Sequence, residues 1–360
     1  MSPSPAPLWQ PFTLGRVELD HRLALAPMTR NRAHPDGTPG DLAATYYGQR
    51  ASLGLIITEG TQPSEDGQGY LNTPGIYTAE HIDGWRTVAD AVHAGGGHLF
   101  IQLMHVGRIS HPDNTPHHRR PVAPSAVSAE QDMVTPEGVK KTPVPRELNP
   151  EEIQTVIGEF RHAAASAVAA GADGVEIHGA NGYLLHQFLS PNANHRTDAY
   201  GGSVQNRARF VIEVARAVAD EIGADRTGIR ISPAFPLGGL DEGDTEAVRV
   251  QYRYLVGELA GLGLAYLHVH HLGDDELLRS FREAWPTALL VVRYGRGREQ
   301  IAGDIENGLA DIAPLGRFAL ANPDVVERLR TGAPFNELDP ATLYTGGAAG
   351  YTDYPTLARV

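Results

Sequence analysis

The sequence predicts an α/β fold, a (β/α)8 TIM barrel with an N-terminal hairpin and a long loop after the third strand. Three observations lead to this fold: a length of 360 residues, eight short apolar runs, and helical patterns between those runs. Because no interdomain linker and no internal repeat interrupts the pattern, residues 1–360 are expected to form a single domain. An open doubly wound sheet is the alternative, since periodicity does not reveal whether a sheet closes.

The eight apolar runs are the predicted strands, because short runs bounded by glycine or a turn are typical of buried parallel strands. They are residues 23–28, 54–58, 98–103, 174–177, 227–231, 265–269, 288–292 and 310–315. Asn149 and Pro150 begin a predicted helix that continues to residue 170, since Asn is a favoured N-cap and proline is tolerated in the first turn. Apolar residues at spacings of three and four predict two further helices at 205–222 and 246–262.

Two segments depart from the repeat. Residues 8–20 are expected to form a hairpin that plugs the bottom of the barrel. Residues 106–145 are rich in proline, histidine and polar residues, and they are too long for a plain strand-to-helix loop. This second segment is therefore expected to be either functional or partly disordered.

Composition narrows the class of protein. The formal net charge of -13 argues against binding to nucleic acid or to an anionic membrane surface. The absence of cysteine excludes disulfides, a thiolate nucleophile and cysteine-ligated metal sites. Residues 1–7 resemble a short disordered tail rather than a signal peptide, and no window is long and apolar enough to span a bilayer. A soluble cytoplasmic protein is the expectation.

No metal site is expected from the two pairs of adjacent histidines, His117-His118 and His270-His271. Neighbouring residues of a strand point to opposite sides, and no carboxylate completes either pair. Both pairs are therefore interpreted as solvated or loop histidines.

A chemically active segment follows the fourth predicted strand and reads His178-Gly-Ala-Asn181-Gly-Tyr183. In barrel enzymes the active site lies at the carboxyl ends of the strands. His178 and Asn181 would donate hydrogen bonds to one oxygen atom, and Tyr183 would hand over a proton. The segment therefore predicts a site that activates a carbonyl compound, with a packed histidine and a packed tyrosine as the structural alternatives.

Other strand ends add groups that suit flavin mononucleotide (FMN). Gln102 would pair with the pyrimidine edge of the flavin, and Arg230 would stabilise the anionic reduced ring. Thr29 would bond the C4 carbonyl, and Gly60 would let the backbone approach the ring. Pairing of Arg230 with Glu176 and a packing role for Gly60 are the alternatives. Glycines after strands seven and eight predict a phosphate site made of Gly295, Arg296, Gly297, Gly316 and Arg317.

Several segments together resemble the Old Yellow Enzyme family of flavin-dependent ene-reductases. The resemblance covers residues 8–357. With Thr29 the chain resembles the branch of that family that carries threonine, rather than cysteine, at this position. The segments that carry it are Ala26-Pro-Met-Thr-Arg30, Gln102-Leu-Met-His-Val-Gly-Arg108, His178-Gly-Ala-Asn-Gly-Tyr183, Arg196-Thr-Asp-Ala-Tyr-Gly-Gly-Ser203, Asn206-Arg-Ala-Arg-Phe210, Gly316-Arg317 with Ala321-Asn-Pro-Asp324, and Gly350-Tyr-Thr-Asp-Tyr-Pro355.

The resemblance implies FMN as the cofactor, NADPH or NADH as the reductant, and an enone or nitro compound as the small-molecule substrate. It implies a monomer or homodimer. Hydride would pass from flavin N5 to the β-carbon, and Tyr183 would protonate the α-carbon. Pro27 and Met28 join Thr29 in the implied cofactor site. The implied substrate-binding residues are Tyr70, Met104, His178, Asn181 and Tyr351.

The chain departs from the family at three places. The turn Arg293-Tyr-Gly-Arg-Gly297 is apparently one residue shorter, which leaves open which amides meet the phosphate. Met104 stands where several relatives carry tryptophan, so the pocket is expected to be wider there. His270 and His271 replace a loop that covers the substrate in the family, so a different substrate scope is expected.

Three other functions stay open from sequence. An FMN-dependent 2-hydroxy-acid oxidase would need a base, and Tyr183 is a poor one. A non-redox barrel acting on a sugar phosphate, such as an aldolase, would need a Schiff-base lysine. None is apparent, since the only lysines, Lys140 and Lys141, lie in the long loop. A flavin-binding protein without ene-reductase turnover is the third.

Overall fold

The structure is a computed structural model that describes residues 6–358, so most of the predicted N-terminal tail lies outside the described residues. Its strands are β1 Phe12–Leu14, β2 Val17–Leu19, β3 Leu23–Leu25, β4 Leu55–Ile57, β5 His98–Leu103, β6 Val122–Ala123, β7 Asp132–Thr135, β8 Gly138–Lys141, β9 Arg146–Glu147, β10 Gly174–Gly179, β11 Thr227–Ile231, β12 Tyr266–His271, β13 Ala288–Arg293 and β14 Ala313–Leu315. Its α-helices are α1 Ala43–Gly48, α2 Ala79–Ala94, α3 Pro150–Ala169, α4 Leu184–Leu189, α5 Val204–Ile222, α6 Thr245–Ala260, α7 Asp275–Ala284, α8 Gly303–Glu306, α9 Arg317–Ala321 and α10 Val325–Thr331.

Eight parallel strands form a closed barrel, which confirms the predicted fold over the open alternative. Their order is β13-β12-β11-β10-β5-β4-β3-β14. A parallel bridge between Leu290 and Ile312 joins the two ends of this order. Each predicted run overlaps one of these strands, but β10, β12 and β13 continue past their predicted ends to Gly179, His271 and Arg293.

Apolar residues on the barrel strands alternate between two cores, as the two-residue period of a strand requires. On β5, Leu99 and Ile101 face the helices, whereas Phe100 faces the barrel interior. The interior also takes the hairpin of β1 and β2, because Leu14 and Leu19 pack there with Phe100. The predicted plug of the barrel is therefore confirmed.

The turn of this hairpin requires glycine. Gly15 has φ +55°, and a Cβ atom there would lie 2.0 Å from the carbonyl oxygen of Asp225. Any other residue would clash with the backbone that precedes β11, so Gly15 lets the hairpin enter the barrel.

The predicted helices are present, and their first turns explain where they begin. Asn149 and Glu152 form a reciprocal capping box at the start of α3, with both bonds at 2.8 Å. Ser203 caps α5, and Asp244 caps α6 through a 2.9 Å bond from the Ala247 amide. These caps satisfy backbone amides that have no partner within the helix.

The long segment 106–145 is ordered and folds over the barrel, which replaces the expectation of partial disorder. It contains β6 and the antiparallel pair β7–β8, and β6 pairs with β9. The Arg108 guanidinium donates to the carbonyls of Val127 and Gly238, and so ties the segment to the loop after β11. Asn114 donates to the carbonyl of Gly69 at 3.0 Å.

Candidate active site

A cavity of about 500 Å³ opens at the carboxyl ends of the barrel strands. This is the face where barrel enzymes place their chemistry, and the size suits a small-molecule ligand. Its lining includes residues that follow five strands of the barrel together with residues near the C-terminus. They include Pro27, Met28, Thr29, Asn181, Arg230, Phe235, Leu237, His270, Arg293, Tyr294, Gly295, Arg296, Gly316, Arg317 and Tyr344.

His178 lies at the end of β10 as a neutral hydrogen-bond donor. Its Nδ1 accepts a hydrogen bond from the Ala180 amide at 3.2 Å, so the ring proton of the neutral form sits on Nε2. Burial, followed by the charge of Arg230, holds the pKa of His178 well below its usual value. The ring therefore donates through Nε2 without carrying a charge.

Asn181 occupies a turn that presents its side chain to the cavity. Its φ is +54°, a left-handed conformation that asparagine tolerates better than most residues. Its amide donates to Ser232 Oγ at 2.7 Å, and its Oδ1 lies 3.1 Å from Nδ1 of His270. With Oδ1 engaged in this way, Nδ2 is left to donate to a ligand.

Tyr183 precedes α4 and stays protonated. Burial raises the pKa of Tyr183 well above its usual value, and Tyr70 raises it further. The two hydroxyl oxygens lie 3.1 Å apart, and the ring of Tyr183 meets that of His178 edge-on at 5.0 Å. Tyr70 and Tyr183 also pack against Met104, Val106, Ile109, Ala129 and Met133. The long segment 106–145 thus forms one wall beside the predicted proton donor.

A buried polar network lies beneath these donors. Glu176 Oε1 accepts a bond from Gln102 Nε2 at 2.7 Å, and Glu176 Oε2 lies 2.8 Å from Nδ1 of His268. Burial alone raises the pKa of Glu176, but His268, Arg230 and Gln102 outweigh it, so the pKa is lowered. The network therefore holds a carboxylate inside the barrel, and Gln102 is oriented by that carboxylate.

Arg230 is a buried cation of the site, and it has no acidic side chain in direct contact among the described residues. It is 6% exposed, forms no ion pair within residues 6–358, and its Nε has no hydrogen-bond partner there. Burial lowers the pKa of Arg230, while Glu176 raises it from a distance. The predicted alternative, a direct pair with Glu176, is not formed. A buried guanidinium with an unsatisfied nitrogen fits an oxygen-rich or anionic ligand in the cavity.

Arginines gather at the predicted phosphate end of the cavity. Arg293 donates to Asp304 at 3.0 and 3.1 Å, and Arg296 lies 2.7 Å from the same carboxylate. Arg317 forms no ion pair among the described residues, and it begins α9 beside Gly316. Because α9 has only five residues, a phosphate at this end of the cavity would be attracted by the arginines and first-turn amides rather than by a helix dipole.

Eight predicted site residues do not line the cavity, namely Gly60, Tyr70, Gln102, Met104, His178, Tyr183, Gly297 and Tyr351. Other contacts account for the places of three of them. The Gly297 amide donates to Gln300 Oε1 at 3.0 Å, and Gly297 does not line the cavity. A Cβ atom on Gly60 would lie 2.4 Å from Sδ of Met104, so packing already explains this glycine. Tyr351 is 1% exposed and stacks on Tyr46 at 4.2 Å, away from the cavity lining.

Packing holds the ring of Tyr351 away from the cavity lining in this structure, so its role in substrate binding stays a prediction. Arg32 lies 4.5 Å above that ring, and Arg30 lies 5.6 Å from it. Tyr344, from the same C-terminal segment, lines the cavity instead and is 66% exposed.

Sequence reasoning also misplaced the histidine pair at the end of β12. His270 and His271 lie in the strand and are 5% and 7% exposed, so they are neither solvated nor in a loop. His270 lines the cavity, whereas His271 Nε2 lies 2.9 Å from Asp275 Oδ1. The signal that would have found His270 is the two-residue period, since His268 and His270 share one face of β12.

Comparison with known proteins places this geometry in a family. The model of the NADH:flavin oxidoreductase / NADH oxidase family matches residues 7–336. The 12-oxophytodienoate reductase 7 of Oryza sativa subsp. japonica is 42% identical over 381 residues, which cover 98% of this chain and 95% of that protein. A probable flavin mononucleotide-dependent alkene reductase of Leishmania infantum is 41% identical over 358 residues, 96% of each chain.

Solved structures agree with the sequence relatives. Morphinone reductase is similar with a TM-score of 0.93 and 42% identity, over 99% of this chain and 98% of that one. An old yellow enzyme homologue from Zymomonas mobilis has a TM-score of 0.92 and 35% identity, over 97% and 99% of the two chains. The chain therefore belongs to the NADH:flavin oxidoreductase family of barrels, as a member of its Old Yellow Enzyme group. It is an NAD(P)H-dependent FMN oxidoreductase.

Proposed function

We propose that this chain is an ene-reductase, which reduces the C=C bond of α,β-unsaturated carbonyl or nitro compounds with Tyr183 as the proton donor. The observation that carries the proposal is the set of three neutral donors at the end of β10, of which Asn181 lines the cavity. His178 offers Nε2–H, Asn181 offers Nδ2–H, and Tyr183 keeps its hydroxyl proton.

The residues present fit FMN. Arg230 supplies an unpaired buried cation, and Arg296 and Arg317 line the end of the cavity that suits a phosphate. Bound here, FMN would supply ping-pong hydride transfer, with NADH or NADPH as the source and the β-carbon of the substrate as the acceptor from N5. Gln102 and Thr29 complete the proposed cofactor contacts together with Pro27 and Met28.

The two oxygen-binding residues would act on charge that develops during the reaction. As hydride reaches the alkene, negative charge grows on the carbonyl or nitro oxygen. His178 and Asn181 would stabilise this charge more than the ground state, because their donors are already oriented by Ala180 and His270. Tyr183 would then protonate the α-carbon.

The names of two relatives support this substrate class. One relative is a reductase of 12-oxophytodienoate, and a similar solved structure is morphinone reductase. In this chain three exposed residues with large aliphatic or aromatic side chains line the cavity, since Leu237, Tyr294 and Tyr344 are 48%, 72% and 66% exposed. We therefore propose that apolar enones are preferred over small charged ones.

The oxidase alternative finds no support in the site. A 2-hydroxy-acid oxidase needs a base that takes a proton from the substrate. The raised pKa of Tyr183 makes its hydroxyl a donor instead, and the low pKa of His178 leaves it a weak base. Oxygen-dependent turnover of lactate or glycolate would instead support the 2-hydroxy-acid oxidase.

An anaerobic visible spectrum of the holoenzyme tests the proposal. We expect the flavin band to bleach with NADPH or NADH and to return on addition of 2-cyclohexenone. A band that bleaches and never returns with enones or nitroalkenes would refute the ene-reductase and leave a flavoprotein with another oxidant. The preferred nicotinamide, the cytoplasmic location, the single domain over residues 1–360 and the choice between monomer and homodimer stay predictions.

A further inference from the structure

His270 contacts the oxygen-binding amide from a different strand. It lies in β12, 89 residues after Asn181, and its Nδ1 is 3.1 Å from Asn181 Oδ1. Its ring packs against Phe235 at 4.5 Å and against Tyr294 at 5.1 Å between ring centroids. The aromatic neighbours limit rotation of the imidazole, so the position of Nδ1 is held.

The direction of this hydrogen bond follows from the chemistry of its two atoms. In this structure Oδ1 of Asn181 faces Nδ1 of His270, and because a carboxamide oxygen only accepts, His270 donates from Nδ1 in this arrangement. Burial, followed by the charge of Arg230, lowers the pKa of His270 to about 3. The imidazole therefore stays neutral over the working range of pH. Its Nε2 has no partner among the described residues.

The alternative orientation of the amide would remove a donor from the cavity. If the carboxamide rotated by half a turn, Nδ2 would face His270 and Oδ1 would face the ligand. Two hydrogen-bond acceptors, Oδ1 of Asn181 and the substrate oxygen, would then face each other and repel. A donor on the far side of the amide selects the productive orientation.

We propose that His270 is a positioning residue, which orients the Asn181 carboxamide so that Nδ2 donates to the substrate oxygen. This inference rests on the proposed function, because it concerns the oxygen-binding pair of that site. His270 acts through Asn181 and does not itself bind the reacting oxygen.

Binding of 4-hydroxybenzaldehyde to the oxidised holoenzyme tests the inference without turnover. This phenol imitates the polarised oxygen, and its affinity is read from the change in the flavin spectrum. His270→Phe keeps a ring in the aromatic cluster but removes the donor. We expect about fivefold weaker phenol binding, the equivalent of one neutral hydrogen bond. His270→Asn retains a short donor near the same place and should restore much of the affinity.

A double-mutant cycle separates positioning from general packing. In the Asn181→Ala background, His270→Phe should cause no further loss, because the amide that it orients is absent. Equal losses in both backgrounds would overturn the inference. His271→Asn is the matched control, since His271 neighbours His270 in β12 but pairs with Asp275. It should leave phenol affinity unchanged.

The outcomes distinguish this inference from the proposed function. A wild-type holoenzyme that binds no phenol and reduces no enone overturns both. Phenol binding that His270→Phe leaves unchanged overturns the inference alone. Should His270→Phe fail to retain FMN, His270→Met takes its place under the same criteria.

Discussion

Replacing Tyr183 by phenylalanine isolates the proton transfer. The substitution removes one oxygen atom and keeps the ring that packs edge-on against His178. The lost hydrogen bond to Tyr70, 3.1 Å long, is worth about 1 kcal/mol of stability, so the protein should remain folded and retain its flavin. General acid catalysis contributes about 10²- to 10⁴-fold, and we expect the reoxidation of reduced enzyme by 2-cyclohexenone to slow by that factor.

Stopped-flow absorbance at the flavin band measures the two half-reactions separately. Reduction by nicotinamide transfers no proton from Tyr183, so its rate should change less than about threefold. Tyr70→Phe is the matched control, because it removes the same hydrogen bond while leaving the hydroxyl of Tyr183 in place. Its enone half-reaction should stay within about tenfold of the wild type.

The pH profile gives a second measurement of the same prediction. Because burial raises the pKa of Tyr183 well above its usual value, the hydroxyl keeps its proton throughout the neutral range. The enone half-reaction should therefore show no loss of rate from this group between about pH 6 and 9. Equal slowing of both half-reactions in Tyr183→Phe, or a rate that tracks a tyrosine ionisation near neutrality, would refute its role as the donor.

Three further predictions concern neighbouring groups. His178→Ala should weaken binding of 4-hydroxybenzaldehyde by about tenfold, because one of two donors to its oxygen is lost, and unchanged affinity would remove His178 from the site. Gly60→Ala should lower the free energy of unfolding in urea by about 1–3 kcal/mol, since its Cβ would lie 2.4 Å from Met104 Sδ. Combining it with Met104→Ala should relieve that loss. Additive losses of the two substitutions would contradict the packing explanation. Burial raises the pKa of Glu59 from 4.5 to about 7, so the folded state holds that proton more tightly than the unfolded chain and this group costs stability as pH rises through that range. The free energy of unfolding of Glu59→Gln, measured in urea, should therefore rise by roughly 3 kcal/mol relative to wild type as pH goes from about 4.5 to 8. Parallel pH curves for the two proteins would show that Glu59 titrates normally.

The electrostatic arrangement explains how one site keeps its donors neutral while it attracts negative charge. Arg230 is buried beside His178 in register on neighbouring strands, and its charge lowers the pKa of that histidine. Glu176 lies two residues before His178 in β10 and is ionised. Its negative charge stabilises the buried guanidinium of Arg230 without direct contact. The donors thus face a positive potential, which favours an oxygen that becomes negative during the reaction.

The sequence by itself determined the elements whose cause is local. Glycine-bounded apolar runs and capped helices set the strands and helices, because these depend on residues within a few positions. The segment from His178 to Tyr183 led to the prediction of the donors for the same reason.

Tertiary structure alone decided which distant residues meet. The contact of His270 with Asn181 depends on how β12 lines up with β10 across the intervening strand, and barrel closure sets that alignment. Tyr344 rather than Tyr351 reaches the cavity because the C-terminal segment packs one aromatic ring against Tyr46 and leaves the other free. Local periodicity states which face a side chain takes, whereas its partners are set by the register of strands far apart in the chain.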